Sequence, residues 1–128
     1  MSLALAAELN DYPGPLHVIE FAQPLAVAPD TLTQVRALFD AMKAETVPIG
    51  ERLIAQETEL ARAFASGSIT QERLTELTGA IGGTNAALRA AHLKYHLATK
   101  RLLSTEQIKQ YAVLRGYTGA NPDHPKRH

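Results

Sequence analysis

Two long apolar stripes, separated by a short polar turn, constrain this chain more than any other feature of its sequence. In the first stripe, apolar side chains recur every three or four residues, at Leu32, Val35, Phe39, Met42, Ile49, Leu53, Leu60 and Phe64. The second stripe runs through Leu74, Leu77, Ile81, Leu88, His92, Tyr95 and Leu102. Stripes this narrow are typical of long helices packed side by side. The turn Ala65-Ser66-Gly67-Ser68 therefore predicts the tip of an antiparallel helical hairpin.

A proline lies inside the first stripe. Pro48 has no N–H to donate, so we expect the helix to kink near residues 44–47. The alternative is two separate helices broken at that point. The stripe keeps its phase across the proline, which favours one kinked helix. At the start of the second helix, Thr70 has the side chain of an N-cap.

Short helices flank the predicted hairpin. Pro15 can open a helix over residues 16–23, which Pro24 ends. Leu103-Ser104-Thr105-Glu106-Gln107 is a capping box, and Gly116 ends the helix that it begins. We therefore predict an all-α fold, with the kinked hairpin and its flanking helices forming one domain over residues 13–117. Residues 1–12 are expected to be flexible, Met1-Ser2-Leu3 resembles an expression remnant, and residues 118–128 are expected to be a disordered tail.

Composition and charge narrow the classes of function. The 128 residues include no cysteine and only 5% aromatic residues, which favours a thin core and an antiparallel dimer that shares it. Residues 1–88 carry five basic and eleven acidic side chains, and residues 89–128 carry eight and two. This opposition favours contacts between the two parts, within the chain or between chains, and argues against nucleic-acid binding. The serines lie at the start, the turn and a helix cap, and no glycine-rich loop follows a strand, so we expect no enzyme.

The order of these elements resembles the Spy/CpxP family of periplasmic helical proteins, whose relatives include zinc-resistance-associated proteins and periplasmic heavy-metal sensors. That family carries the motif Leu-Thr-x-x-Gln twice, each time at a helix start. Leu103, Ser104 and Gln107 match the second copy, with serine at the cap, whereas Val27-Ala28-Pro29-Asp30-Thr31 is a degenerate first copy. The resemblance implies a periplasmic homodimer that holds unfolded or envelope proteins, binds a membrane sensor partner, or responds to metals.

The predicted binding surface for such polypeptides lies late in the second helix. Apolar side chains that hairpin packing does not use are expected there, with basic side chains at their rim to attract acidic clients. The residues are Leu93, Leu97, Lys94, Lys100 and Arg101, and Ile54 and Val113 extend the apolar set. The alternative interpretation makes the same leucines a dimer interface. A third interpretation is a structural dimer that inhibits a membrane partner.

A histidine pair suggests a second, different function. His92 and His96 are four residues apart, so on a helix both imidazoles lie on one face and can bind one zinc, nickel or copper ion. Further ligands must come from elsewhere, and antiparallel pairing brings Met42 and Glu45 to this level, with His17 on the entry helix. Other interpretations remain open: His92 can be a hydrogen-bonded core residue, and His96 an exposed polar one.

Overall fold

The computed structural model describes residues 4–117, of which 76% are helical, with no strand among them. The described helices are α1 (Leu5–Glu8), α2 (Pro15–Glu20), α3 (Pro29–Ala65), α4 (Gln71–Lys100) and α5 (Thr105–Leu114). The all-α prediction is therefore confirmed. The predicted tail, residues 118–128, and the predicted remnant at residues 1–3 lie outside the described part of the chain.

The two long helices, α3 and α4, pack together. α3 is a single helix with Pro48 inside it, so the alternative of two helices broken at the proline is wrong. The connection between α3 and α4 includes Gly67 at φ 74°, a left-handed conformation that glycine adopts without a steric penalty. Thr70 caps α4 as predicted, because its hydroxyl accepts a hydrogen bond from the amide of Arg73 at 3.1 Å.

The N-terminal region differs from the prediction in two respects. The one-turn helix α1 was not predicted at all, because residues 1–12 show no apolar periodicity. α2 ends at Glu20 rather than near residue 23. Beyond it, residues 21–26 form turns in which the amide of Leu25 donates to the carbonyl of Phe21 at 2.9 Å. Ala26 takes φ 54°, a conformation that costs a residue with a Cβ roughly 1–2 kcal/mol.

The described chain forms two compact units, residues 4–42 with 92–117, and residues 43–91. The first unit has a hydrophobic core of Val18, Leu25, Val35, Leu103 and Tyr111. Phe21 packs edge-on against Tyr111 there, with ring centroids 6.3 Å apart. In this unit, α2, the N-terminal part of α3 and α5 contribute residues to one core.

The second unit buries few side chains, among them Leu77, Ile81 and Thr84 of α4. On its surface, Arg73 forms ion pairs with Glu59 and Glu76. Exposed ion pairs of this kind contribute little to stability, typically about 0–1 kcal/mol. The unit therefore depends mainly on a narrow apolar seam. Among the described helices, none is long and apolar enough to cross a membrane.

Candidate functional site

A buried carboxylate is the centre of the most polar part of the first unit. Glu8, at the end of α1, is only 6% exposed. Burying a carboxylate is costly unless charge and hydrogen bonds compensate for the lost water. The donors that compensate come from α5, from Arg115 and Tyr117 just after it, and from the turn before α2.

Four groups act on the Glu8 carboxylate. The Tyr111 hydroxyl lies 2.9 and 2.8 Å from its two oxygens, and the Tyr117 hydroxyl donates to Oε1 at 2.8 Å. The amide of Gly14 donates to Oε2 at 3.0 Å, and the Nε of Arg115 lies 3.5 Å from Oε1. Arg115 also donates to the Tyr117 hydroxyl, from Nε at 3.2 Å and from its terminal nitrogen at 3.0 Å. We call Gly14, Tyr111, Arg115 and Tyr117 the carboxylate clamp.

The end of α5 explains how Tyr117 reaches this position. Gly116 takes φ 80° and ends the helix, with its amide bonded to the carbonyl of Val113. The amide of Tyr117 then donates to the carbonyl of Ala112 at 2.9 Å. This pair of bonds is a Schellman motif, which reverses the chain just after the helix. The reversal brings the Tyr117 ring back beside Arg115 and Glu8.

The two tyrosines of the clamp, Tyr111 and Tyr117, resist deprotonation. Burial, reinforced by the negative charge of Glu8 and the bond to it, raises the pKa of Tyr111 far above its ordinary value. Burial also raises the pKa of Tyr117, with Glu8 adding to the effect and Arg115 opposing it. Both hydroxyls therefore remain donors at neutral pH, which a buried carboxylate requires.

His96 forms the next wall of the site. It is 2% exposed, so the interpretation that placed it on the surface is wrong. Its Nδ1 lies 2.7 Å from the carbonyl oxygen of Tyr12 and 3.8 Å from Oε2 of Glu8. A carbonyl only accepts, so Nδ1 carries a proton, and in the neutral ring Nε2 keeps its lone pair.

The predicted histidine pair is confirmed as a pair of neighbours on one helix. The rings of His92 and His96 stack with centroids 5.3 Å apart and planes 27° apart. His92 is half-buried, and burial, with His96 second, lowers its pKa. The pair is therefore held partly away from water, and a proton on His92 is disfavoured.

A small cavity of about 140 Å³ lies against these histidines. It is lined by Glu8, His17, Met42, His92, His96 and Arg115, together with Ala4, Gly14, Pro15 and Leu16. Four of the five predicted metal ligands thus border one cavity. The fifth, Glu45, is half-buried and belongs to the second unit. Glu8 and Arg115 are additional lining residues that the sequence did not suggest.

The cavity is not a preformed metal site. Within residues 4–117, no group of three or more histidine, cysteine, aspartate or glutamate side chains is arranged to hold a metal ion. His17 directs its Nδ1 to the Glu20 carboxylate at 2.7 Å, and Glu8 is engaged by the clamp. The arrangement offers suitable donor atoms at its wall, but a metal would have to move several of them.

The residues predicted to bind polypeptide have mixed environments. Lys94, Leu97 and Arg101 are exposed, Leu97 by 49%. Leu93 is half-buried. Lys100 is also half-buried, and its ammonium group lies 3.9 Å from the centroid of the Tyr12 ring. Lys100 therefore contacts the N-terminal segment through Tyr12 and is not a free basic residue at the edge of the predicted binding surface.

The motif residues Leu103, Ser104 and Gln107 anchor α5. Ser104 accepts from the Gln107 amide at 3.1 Å, and the Gln107 side chain accepts from the Ser104 amide at 2.9 Å, which confirms the capping box. The Gln107 side chain also donates to the carbonyls of Leu25 and Ala26, at 3.1 and 3.3 Å. Leu103 is buried in the core. The motif thus fixes α5 to the turn after α2.

The sequence reasoning missed the carboxylate clamp. A glutamate in a weakly patterned N-terminal segment looks solvent-exposed, and its side-chain partners Tyr111, Arg115 and Tyr117 lie more than a hundred residues away. One signal was present in the sequence: between Pro13 and Pro15, only Gly14 has an amide that can donate. An alanine Cβ at Gly14 would lie 2.7 Å from Cε1 of His96, so this position also requires glycine for space.

These features define an all-α protein with a buried polar site beside a small histidine-lined cavity. No protein-family model, curated protein or solved structure matches the chain. The resemblance to the Spy/CpxP family therefore stays a prediction that rests on the motif and the order of elements.

Proposed function

We propose that this protein is a non-catalytic polypeptide-binding protein, a Spy/CpxP-like periplasmic chaperone or stress-response adaptor. In this proposal α3 and α4 form an antiparallel hairpin kinked near Pro48, and two copies pair as an antiparallel dimer. Unfolded or envelope proteins, or a membrane sensor partner, bind to apolar side chains on the long helices. Nothing in this function requires a bond to be made or broken.

The observation that carries the proposal is the exposure of large apolar side chains along α3 and α4. Val47 and Ile54 are 54% and 69% exposed, and they are seven residues apart, so they share a face of α3. Leu97 is 49% exposed on α4, with Lys94 and Arg101 one turn before and after it. Exposed apolar positions flanked by charges suit the transient binding of unfolded chains.

An aggregation assay tests this function. A reduced, denaturing client is followed by light scattering with and without the full chain, and we expect the protein to slow its aggregation. Ile54→Ser and Leu97→Ser should each weaken the protection several-fold. Leu9→Ser is the matched control, because Leu9 is 45% exposed but lies outside the proposed surface. Equal aggregation rates with and without the protein would exclude the chaperone function.

A second candidate function, metal sensing or resistance, is supported by the histidine-lined cavity. His17, Met42, His92 and His96 border it, and the Nδ1–H of His96 donates to a backbone carbonyl. That bond is the usual outer partner of a metal-binding histidine, and it leaves Nε2 for zinc, nickel or copper. The proposal includes a rearrangement on binding, because the described donors are not arranged as a metal site.

Calorimetric titration with zinc, nickel and copper separates the two functions. The tail histidines His124 and His128 can bind metal loosely, so every protein in the comparison carries His124→Ala and His128→Ala. On that background we compare the parent with His92→Ala/His96→Ala, and with His17→Ala alone. Binding at a defined stoichiometry that the double variant loses supports the metal function. Unchanged metal affinity in the double variant rules it out.

A further inference from the structure

The carboxylate clamp has the form of a recognition site, and its occupant is a short segment of the same chain. Residues 4–11, which we call the latch segment, contain α1 and place Ala4 and Glu8 inward, at 4% and 6% exposure. Every group that contacts the Glu8 carboxylate within hydrogen-bond distance is a donor: two hydroxyls and one amide. A site built only from donors accepts an anionic side chain and rejects an amide, which would present its own N–H groups.

Tyr111 is anchored in the core, and most backbone hydrogen bonds of the latch segment lie within the segment. Tyr111 belongs to the hydrophobic core and is 2% exposed, so it is held in place whether or not Glu8 is present. In the latch segment, the amides of Ala7, Glu8 and Leu9 donate to carbonyls of the same segment, at Ala4 and Leu5. The segment can therefore leave the clamp without breaking these backbone bonds.

A natural hinge follows the latch segment. Asp11 takes φ 70°, an uncommon conformation for a residue with a Cβ. Immediately after it, Tyr12 is held by His96 through its carbonyl and by Lys100 through its ring. Rotation at Asp11 would free residues 4–11 by breaking one backbone hydrogen bond, from the amide of Tyr12 to the carbonyl of Ala7 at 3.0 Å. The carbonyl and ring of Tyr12 would stay bound to His96 and Lys100.

The free energies involved favour replacement of the latch segment by a partner over a latch that never opens. The latch segment buries a limited apolar surface: Ala4 is its one fully buried apolar side chain, and Leu5 and Ala7 are half-buried. A buried ion pair gains little net stability, because removing the charge from water offsets most of the attraction. An empty clamp, however, leaves buried hydroxyls without an acceptor, at about 1–3 kcal/mol for each group. An incoming carboxylate satisfies the same donors and replaces the latch at low net cost.

We propose that the carboxylate clamp is a peptide-binding site that the latch segment closes in cis, and that it binds a glutamate-bearing helical turn of a partner polypeptide when the latch opens. The partner turn resembles the latch, with a small residue four positions before the glutamate. Charge at the site favours an acidic side chain, because the guanidinium of Arg115 lies 3.5 Å from the bound carboxylate. This site is distinct from the exposed apolar side chains of the proposed function and does not depend on them.

Fluorescence anisotropy with a labelled peptide of residues 4–11 tests the proposal on the full chain. In the wild-type protein the tethered Glu8 competes at an effective concentration of order mM, so the peptide should bind weakly. In full-length Glu8→Gln the latch loses its carboxylate, and we expect the peptide to bind at least tenfold more tightly. The same peptide with glutamine in place of its glutamate is the matched control and should not bind. Adding Tyr111→Phe to Glu8→Gln should weaken binding again.

Equal binding of both peptides, or equal affinity for wild type and Glu8→Gln, would overturn the proposal. So would the absence of peptide binding to a Glu8→Gln protein with wild-type helix content. Amide hydrogen exchange of the wild type provides a second test that needs no variant. We expect the amides of Ala7, Glu8 and Leu9 to be at least a hundredfold less protected than those in the middle of α5. Equal protection would mean that the latch opens only when the protein unfolds, which contradicts the proposal.

Discussion

The hydroxyl of Tyr111 lies 2.8 and 2.9 Å from the two carboxylate oxygens of Glu8, a residue 103 positions earlier in the chain. The contact connects the N-terminal turn to α5 at the edge of the hydrophobic core. Both groups are buried, so each depends on the other for a partner that water would otherwise supply. This mutual dependence makes the pair a sensitive point for the stability of the first unit.

Removing the hydroxyl tests that dependence. Tyr111→Phe keeps the ring in the core but leaves the Glu8 carboxylate with one donor fewer, so we expect a loss of about 1–3 kcal/mol in the free energy of unfolding. Urea denaturation followed by circular dichroism measures the change. Tyr12→Phe is the control, because no contact described for Tyr12 uses its hydroxyl, and it should stay within about 0.5 kcal/mol of wild type.

A double-mutant cycle strengthens the test. Tyr111→Phe should cost much less in a Glu8→Gln background, because the carboxylate that needs the hydroxyl is then absent. If the two changes add without coupling, the hydroxyl and the carboxylate do not stabilise each other.

Alkaline pH should destabilise the protein through the same tyrosine. Burial and the nearby Glu8 raise the pKa of Tyr111, whereas in the unfolded chain a tyrosine ionises near its ordinary value of about 10. The unfolded state therefore releases its proton first, so the contribution of Tyr111 to stability is full below pH about 10 and declines above it. Urea midpoints at pH 8, 10 and 11 should fall more steeply for wild type than for Tyr111→Phe. Parallel curves would contradict this assignment.

Acidic pH should lower the stability of the protein through protonation of His92. Burial, followed by the neighbouring His96, lowers the pKa of His92 below its ordinary value of 6.5. The unfolded state then binds the proton more readily, so stability declines as the pH falls from about 6.5 toward the lower folded pKa. His92→Gln removes this group, and its urea midpoint should change less between pH 7 and pH 5 than that of wild type. An equal change in both proteins would place the acid sensitivity elsewhere.

The helical elements were predictable because each depends on local sequence. The capping box at Ser104 and Gln107 satisfies backbone groups within four residues, and the apolar stripes identify the faces of α3 and α4. The clamp depends instead on Glu8, whose environment is set by chain folding and not by its neighbours. The side chains of His92 and His96 show the same limit: their shared helix face was predictable, but which of them is buried depends on the turn that carries Tyr12.

Two glycine positions distinguish a tight site from an open one. Gly14 is packed against His96, and an added Cβ would lie 2.7 and 2.8 Å from ring atoms of that buried side chain. Gly83 lies inside α4, and apart from the neighbouring backbone of its own helix no atom lies within 4 Å of the corresponding position. We expect Gly14→Ala to lose about 1–3 kcal/mol, as overpacked sites do. Gly83→Ala should gain up to about 1 kcal/mol, because alanine has the higher helix propensity.

Thermal and urea denaturation of the two variants measure the expected loss of stability in Gly14→Ala and the expected gain in Gly83→Ala. Gly14→Ala should also expose the latch segment, because moving His96 disturbs its bond to the carbonyl of Tyr12. The amides of residues 7–9 should then exchange faster with solvent, while those of α4 around Gly83 keep wild-type protection. A stable Gly14→Ala protein with unchanged exchange would show that the wall formed by the turn before α2 can yield, and that the clamp does not require glycine there.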